Sequence, residues 1–188
     1  MMNTISPAST TRRAFLKIGA SAILTGVFTH PALAVVSPEA HERRVLSFYN
    51  IHTGEAIRAC YRADGRLVRA AIKRINFILR DYRTGEIKPV DPKLLDLLHR
   101  ISTAVDPHAP ISIISGYRSP QTNAALRKIT TGVARNSLHM EGRAIDIRIP
   151  GYRTSALRRL AVQLKAGGVG YYPKSDFIHL DTGPVKTW

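Results

Sequence analysis

The most informative stretch of the chain, residues 137–149, reads SLHMEGRAIDIRI. Apolar and polar residues alternate over residues 144–149, which is typical of a strand that is buried on one face. Asp146 is therefore predicted to lie on the face opposite the three isoleucines. A turn at residues 141–142 would bring His139 back beside Asp146.

A second stretch, residues 175–183, reads SDFIHLDTG, and in the strand predicted there His179 and Asp181 share one face. If this strand lies beside the first, His139, Asp146 and His179 meet at one point. Three protein ligands with an open coordination position form the usual catalytic zinc site. A single His in a strand is more often a structural, hydrogen-bonded residue, so spacing alone leaves both interpretations open.

The remaining elements extend outward from these two strands. Strands near both ends of the region with helices between them predict an α+β fold around a small, mainly antiparallel sheet with flanking helices. We expect a hairpin over residues 45–62, helices over 67–83 and from Pro92, Pro120 and Thr154, and strands over 111–114, 144–149, 169–172 and 177–181.

The first 34 residues predict a twin-arginine signal peptide. They contain TRRAFLK at residues 11–17, an apolar run over 18–28 and the cleavage pattern Ala-Leu-Ala at 32–34. The alternatives are an N-terminal membrane anchor or a chance arginine pair, but the run is too short and polar for a comfortable span. We therefore expect a mature domain at residues 35–188, exported to the periplasm by the twin-arginine translocation machinery, with no stable membrane span.

Charge and cysteine content narrow the functional classes. The chain has 188 residues, 28 Lys and Arg against 13 Asp and Glu, and a single cysteine. One cysteine excludes an intramolecular disulfide and a cysteine-based zinc site, so His and carboxylate must hold any metal. The basic residues are scattered and form no nucleic-acid-binding pattern, so no nucleic-acid partner is predicted. Attraction to an anionic cell wall and a merely soluble basic surface both stay open.

Three motifs in a fixed order resemble one superfamily. They are Ser115-Gly-Tyr-Arg-Ser119, Ser137-x-His139-x-x-Gly142-x-Ala144-x-Asp146 and Asp176-x-x-His179-x-Asp181. Together they resemble the LAS-type zinc peptidases, which include the D-alanyl-D-alanine peptidases, and more closely the exported YcbK-like branch of murein endopeptidases. The resemblance covers nearly all of residues 35–188. It implies a Hedgehog/D-Ala-D-Ala peptidase-like fold and one Zn²⁺ held by His139, Asp146 and His179.

The resemblance also implies roles for residues around the metal. Arg118 would stabilise the oxyanion that develops on the scissile carbonyl, although a buried ion pair that braces its loop is the alternative. Ser137, Tyr117 and Asn123 are candidates for binding substrate. Ordinary turn chemistry explains Ser137 equally well, and Tyr117 is also compatible with a core position.

The general base is the position where this chain departs from its relatives. Several of them carry Glu three residues before the last zinc ligand, whereas this chain has Asp176, which is one methylene shorter. We favour Asp176 as the base. Asp181 is the rival, because a carboxylate on the same face as His179 can act as base or orient the ligand histidine.

The function implied is a zinc metallopeptidase that hydrolyses peptide cross-links or stem peptides of peptidoglycan. The closest resemblance suggests the meso-diaminopimelate cross-link, but the sequence leaves the bond open. A non-catalytic wall-binding module on the same fold, or a carboxypeptidase that removes terminal D-Ala, are the alternatives.

Overall fold

The computed structural model describes residues 42–188, so the predicted signal segment, residues 1–34, lies outside the described part. Its elements are β1 (Arg43–Asn50), β2 (Ala56–Ala63), β3 (Arg66–Leu67), α1 (Arg69–Ile78), α2 (Pro92–Val105), β4 (Ile111–Ser115), α3 (Pro120–Ile129), β5 (Ala144–Arg148), α4 (Thr154–Gln163), β6 (Gly168–Tyr172), β7 (Phe177–Asp181) and β8 (Lys186–Thr187). Within these residues, no helix is long and apolar enough to cross a bilayer.

All of the strands join one mixed sheet in the order β3-β2-β1-β4-β5-β7-β6-β8. The pairs β1–β4 and β6–β8 are parallel and the other pairs are antiparallel. The predicted α+β class and the mainly antiparallel pairing are confirmed, but the prediction of a small sheet is wrong. β3 and β8 widen the sheet at its two edges, and two-residue strands are too short to show an alternating pattern.

The strand register separates a core face from a polar face. Ile145 pairs with Leu180 and Ile147 with Ile178, and all four side chains are at most 1% exposed within the hydrophobic core. Burial of each such side chain contributes about 1.5–3 kcal/mol. Asp146 alternates with the isoleucines, so its side chain points away from this core.

The polar face of β5 is also buried, which corrects the prediction of a half-buried strand. Ala144 and Asp146 are 2% and 7% exposed. Asp146 is covered because the side chains of His139 and Arg118 lie 3.3 and 3.5 Å from its oxygens. The functional face of this strand therefore carries a layer of polar side chains instead of solvent.

The helix predicted over residues 67–83 is shorter, because its last residues hold a neighbouring loop. α1 ends at its C-cap Leu79, whose carbonyl accepts a hydrogen bond from the backbone N–H of Tyr117 at 2.7 Å. Asp81, which is 2% exposed, accepts a hydrogen bond from the N–H of Ser119 at 2.8 Å. These two contacts fix the loop on either side of residue 118.

Two of the helices begin with a side-chain cap. The side chains of Asp91 and Ser119 accept backbone N–H groups at the starts of α2 and α3. At α4 the N-cap is Arg153, which makes no side-chain hydrogen bond, and Thr154 is the first residue of the helix. The Thr154 hydroxyl instead donates to Oδ1 of Asp176 at 3.0 Å.

Candidate metal centre

Two neighbouring strands and a short turn bring the predicted ligands together. In the register of β5 and β7, Asp146 is directly opposite His179. His139 lies on a 3₁₀ turn over Leu138–Glu141, which ends at Gly142 with a φ of 69°. A side chain at position 142 would be strained by this φ and would also collide with the carbonyl of Pro89. The glycine therefore allows the tight return that directs His139 toward β5.

The three side chains converge on one buried point. Nδ1 of His179 lies 2.9 Å from Oδ1 of Asp146, and Nε2 of His139 lies 3.3 Å from the same oxygen. The two ring nitrogens are 3.2 Å apart. All three residues are buried, and their candidate ligand atoms lie within 4.8 Å of one another.

The outer nitrogen of each imidazole already has a hydrogen-bond partner. Nδ1 of His139 lies 2.8 Å from the carbonyl oxygen of Gly116, and Nε2 of His179 lies 3.1 Å from Oδ2 of Asp181. Both partners are acceptors, so these outer nitrogens carry the protons in the neutral rings. The inner nitrogens then present lone pairs toward each other and toward Asp146. Such an arrangement fits a divalent cation, and the outer partners are those that commonly orient metal-binding histidines.

The pKa shifts of Asp146 and His179 show that this buried group stabilises a positive charge. Burial by itself would raise the pKa of Asp146, but the neighbouring His139 and His179 hold it well below its usual range. Burial would lower the pKa of His179, but hydrogen bonds to Asp146 and Asp181 raise it to about 9. In the metal-free protein, the inner nitrogen of His179 therefore carries a proton in the space where a metal cation would fit.

Both carboxylate oxygens of Asp181 are already engaged in hydrogen bonds, which makes it a poor candidate for the general base. Its Oδ1 accepts backbone N–H groups from Gly168 at 3.0 Å and Gly183 at 2.7 Å, while Oδ2 holds His179. Burial opposes ionisation, but the hydrogen bond from His179 and these two N–H groups lower the pKa of Asp181. Asp181 is therefore an ionised residue that holds Nε2 of His179, a candidate metal ligand.

Two glycines of β6 allow close packing against the neighbouring strand β7. A Cβ at Gly168 would collide with the carboxylate of Asp181. A Cβ at Gly170 would lie 2.8 Å from the indole of Trp188 and 3.0 Å from Cβ of His179. Because the Asp181 carboxylate is held by several hydrogen bonds, it cannot move away at low cost.

Arg118 lies beside the metal-ligand group. Its backbone N–H donates to the carbonyl of His139 at 3.2 Å, and Nη2 lies 3.5 Å from Oδ2 of Asp146. Nη1 donates to Oδ1 of Asn123 at 3.3 Å and Nη2 donates to Oγ of Ser115 at 3.4 Å. The buried Nε has no hydrogen-bond partner among the described residues. The guanidinium is thus held next to the cleft, and its action on an oxyanion stays a prediction.

The ligand group opens into a cleft of about 480 Å³. Residues 130–134 and 136–138 line one part of it, together with Arg118. Three aromatic residues and a lysine also line it: Tyr172, Phe177, Trp188 and Lys186. Sequence reasoning did not identify these four as site residues. Trp188 and Lys186 reach the cleft through the parallel pairing of β6 with β8, which leaves no signal in local spacing.

The predicted substrate-binding residues are divided between the cleft and its support. Ser137 lines the cleft and also accepts the backbone N–H of His139 at 3.4 Å. Tyr117 is 8% exposed and donates to Glu86, and Asn123 donates to the carbonyls of residues 134 and 135. The lining of the cleft does not include Tyr117 or Asn123. Substrate contact by all three stays a prediction.

Asp176, the favoured general base, lies at the border of the site. Its neighbours Ser175 and Phe177 line the metal cleft, but Asp176 lines a separate cavity that also contains Arg148. Its Oδ1 accepts the Thr154 hydroxyl, and its Oδ2 is 4.0 Å from Nη1 of Arg148. The backbone at Asp176 has a φ of 51°, which turns its side chain out of the alternation of β7.

Comparison with known proteins identifies the family. The family described as "Peptidoglycan L,D-endopeptidase MepK" matches residues 38–188. The relative of that name from Escherichia coli (strain K12) is 42% identical over 178 residues, covering 94% of this chain and 96% of the relative. A probable peptidoglycan L,D-endopeptidase MepK from Haemophilus influenzae is 40% identical, covering 94% of this chain and 95% of the relative. The resemblance in the three sequence motifs is confirmed, and the chain belongs to the MepK family of peptidoglycan endopeptidases.

Proposed function

We propose that this protein is a zinc-dependent murein endopeptidase that hydrolyses peptide cross-links of peptidoglycan. The observation that carries the proposal is the convergence of the inner nitrogens of His139 and His179 on the carboxylate of Asp146. The names of the relatives, peptidoglycan L,D-endopeptidase, supply the substrate class and the kind of bond. The L,D cross-link between two meso-diaminopimelate residues is the substrate that we propose.

His139, Asp146 and His179 would hold the zinc ion, with Gly116 and Asp181 fixing the two imidazole orientations. Bound zinc would supply the Lewis acid that amide hydrolysis requires. The donor set matches this metal, since two imidazoles and one carboxylate leave a coordination position open.

Arg118 would stabilise the negative charge that develops on the scissile carbonyl oxygen. Its guanidinium is already oriented by Ser115 and Asn123, so little reorganisation accompanies the reaction. Burial lowers the pKa of Arg118, and the charge of Asp146 opposes this shift. Arginine nevertheless stays charged at neutral pH.

For proton transfer we propose Asp176. Its carboxylate would exchange the hydrogen bond from Thr154 for one to the attacking water when substrate fills the cleft. Asp181 is less suited to this task, because both of its oxygens accept hydrogen bonds from His179 and two backbone N–H groups.

The protein would act on peptidoglycan in the periplasm. This part of the proposal rests on the twin-arginine pattern at residues 11–17 and on the cleavage pattern at 32–34. The twin-arginine machinery would translocate the protein before the signal peptide is removed. Peptidoglycan would be its partner in the periplasm.

Mass spectrometry of purified sacculi digested by the zinc-loaded protein tests the proposal. New muropeptide ends at meso-diaminopimelate cross-links are the expected products. Release of terminal D-Ala alone would identify a carboxypeptidase, and binding to sacculi without any new ends would identify a wall-binding module. Either result would contradict the proposed endopeptidase activity.

Asp176→Asn and Thr154→Val separate the base from its hydrogen-bond partner. Asp176→Asn is expected to lower kcat about 10²–10⁴-fold, the usual contribution of a general base, while the zinc content stays unchanged. Thr154→Val removes only the hydroxyl donor and should affect kcat far less. Full activity in Asp176→Asn would show that the proton acceptor is another group.

A further inference from the structure

The outer wall of the metal cleft is a connected series of aromatic rings. Phe177 stacks on Tyr172 with ring centroids 4.6 Å apart. The Tyr172 hydroxyl accepts a hydrogen bond from Nε1 of Trp188 at 3.0 Å. The indole of Trp188 then lies 5.2 Å from the ring of His179. These contacts hold Trp188 in a defined orientation beside a predicted metal ligand.

The position of Trp188 is also fixed by its backbone. Its N–H donates to the carbonyl of Val169 at 3.2 Å, and its carbonyl accepts the N–H of Tyr171 at 3.0 Å. Gly170 lies between these two partners and leaves room for the indole, since a Cβ there would meet the ring. The wall is therefore a preformed surface.

Lys186 places a positive charge on this wall. Its Nζ lies 5.0 Å from the centroid of the Trp188 ring, and Lys186 lines the cleft. The acids that line the cleft are Asp146 and Asp181, and both are bound to the imidazoles. Lys186 forms no ion pair with any carboxylate in the described part of the chain, so its ammonium group is available to a ligand.

We propose that Lys186, supported by Trp188, binds the free carboxylate that neighbours the scissile amide of the substrate. In an amide formed on the D-centre amine of meso-diaminopimelate, the carboxylate of that centre stays free, one carbon from the scissile nitrogen. Two contacts of about 5 Å join the Lys186 ammonium to the ring of His179. The free carboxylate lies within about one residue length, 3.3–3.6 Å, of the scissile nitrogen. The long, flexible side chain of Lys186 would span the remaining distance.

This inference rests on the proposed function, and it makes Lys186 a residue that determines specificity. The ammonium group would distinguish a cross-link with a free carboxylate from one in which that carboxylate is amidated. Because the contact forms on binding and does not involve the reacting atoms, its loss is expected to raise KM more than it lowers kcat.

Binding can be measured separately from hydrolysis, because Trp188 is the only tryptophan in the chain. The probes are two ketomethylene isosteres of the meso-diaminopimelate cross-link, one with the free carboxylate and one with a carboxamide there. Their affinities for the zinc-loaded full chain are measured by Trp188 fluorescence and by calorimetry. The wild-type protein is expected to bind the free acid about tenfold more tightly, as a charge-assisted hydrogen bond provides.

Lys186→Gln should abolish this preference by weakening the binding of the free acid alone, and Lys186→Arg should keep most of it. Lys73→Gln removes one positive charge from the exposed side of α1 and is the matched control, with the wild-type preference expected. The proposal is overturned if the wild-type protein shows no preference, or if Lys186→Gln retains it.

Hydrolysis of the two corresponding cross-linked peptides, measured in parallel, distinguishes this inference from the proposed function. If both isosteres bind with the expected preference but neither peptide is hydrolysed, the endopeptidase proposal fails and the carboxylate site stands. If both peptides are hydrolysed and Lys186→Gln has the wild-type KM for each, the carboxylate site fails and the endopeptidase proposal stands.

Discussion

The half-buried carboxylate of Asp96 and the buried carboxylate of Asp146 are each surrounded by polar side chains. The two clusters differ in how many hydrogen-bond donors point toward the carboxylate. Asp96 accepts hydrogen bonds from Arg44 at 3.0 Å, Arg62 at 3.0 Å and the Tyr61 hydroxyl at 2.8 Å. Every neighbour is a donor. Burial raises the pKa of Asp96, but these donors outweigh it and lower the pKa. The cluster is complete without any ligand.

The cluster around Asp146 has the opposite balance. The protons of both neutral imidazoles point outward, to Gly116 and Asp181, so three electron-pair donors face one another. The comparison shows that a polar cluster is a candidate metal site when the N–H groups of its side chains point outward and their lone pairs point toward one another.

The largest expected effect is the loss of metal when a ligand is removed. His139→Ala and His179→Ala should each abolish zinc retention after dialysis and abolish hydrolysis of sacculi, because two remaining ligands bind zinc weakly. Zinc content is measured by elemental analysis, and circular dichroism checks the fold. Asp96→Asn is the matched control and should retain about one zinc per chain. A folded His179→Ala protein with full zinc content would contradict the assigned ligands.

A smaller effect is expected when only the orientation of a ligand is changed. Asp181→Asn keeps an oxygen for the N–H groups of Gly168 and Gly183 but removes the charge that holds His179. The affinity for zinc should fall about 10–100-fold, the usual cost of losing such a partner. Competition with a chelator measures this affinity. An unchanged affinity would mean that Asp181 does not orient the ligand.

Asp96→Asn should act on stability and leave the metal unaffected. The substitution leaves Arg44 and Arg62 without their common carboxylate. We expect the free energy of unfolding to fall by about 1–3 kcal/mol, the cost of leaving a donor unsatisfied. Urea denaturation measures this change, and the chelator assay should give the wild-type zinc affinity. A large loss of zinc affinity would show that the two clusters are coupled.

A further effect is a difference in pH dependence between the metal-free and zinc-loaded proteins. Asp146 and Asp181 raise the pKa of His179 to about 9, so the protonated ring stabilises the folded metal-free protein. This stabilisation is complete below about pH 6.5, the ordinary histidine pKa, and is lost as the pH rises through about 9. The Tm of the metal-free protein should therefore fall over this range, by about 2–4 °C for each kcal/mol lost.

The zinc-loaded protein provides the comparison, since a metal-bound imidazole has already lost its proton. Its Tm should not show the same decline over this pH range. Thermal scans of both forms in the same buffers test the prediction. Parallel curves for the two forms would contradict the assignment of His179 as both the titrating group and a ligand.

Much of the candidate metal centre could be predicted from the sequence because alternation determines which side chains share a face. Asp146 and His179 follow from the patterns of β5 and β7, and Gly142 indicates the return of His139. The partner of His139 is the backbone carbonyl of Gly116, and a carbonyl carries no residue-specific signal. The cleft wall formed by Trp188 depends on the pairing of a two-residue strand, which no periodicity could indicate.

Asp176 illustrates how a local backbone conformation limits such predictions. Continued alternation from Phe177 would place residue 176 on the opposite face, whereas the motif places an acid three residues before His179. The left-handed conformation at Asp176 interrupts this alternation, and its carboxylate accepts the hydroxyl of Thr154. The variants Asp176→Asn and Thr154→Val test whether the carboxylate acts in the reaction.

The glycines of β6 that pack against β7 affect how an alanine scan of this protein would be interpreted. Such scans treat alanine as the removal of a side chain, but at Gly168 and Gly170 it adds a methyl group where the Asp181 carboxylate and the Trp188 indole already lie. Both variants would lose activity, although neither position contributes a side chain to the chemistry. Loss of function at these two positions would therefore indicate that the added methyl group displaces Asp181 or Trp188, and not that a functional side chain had been removed.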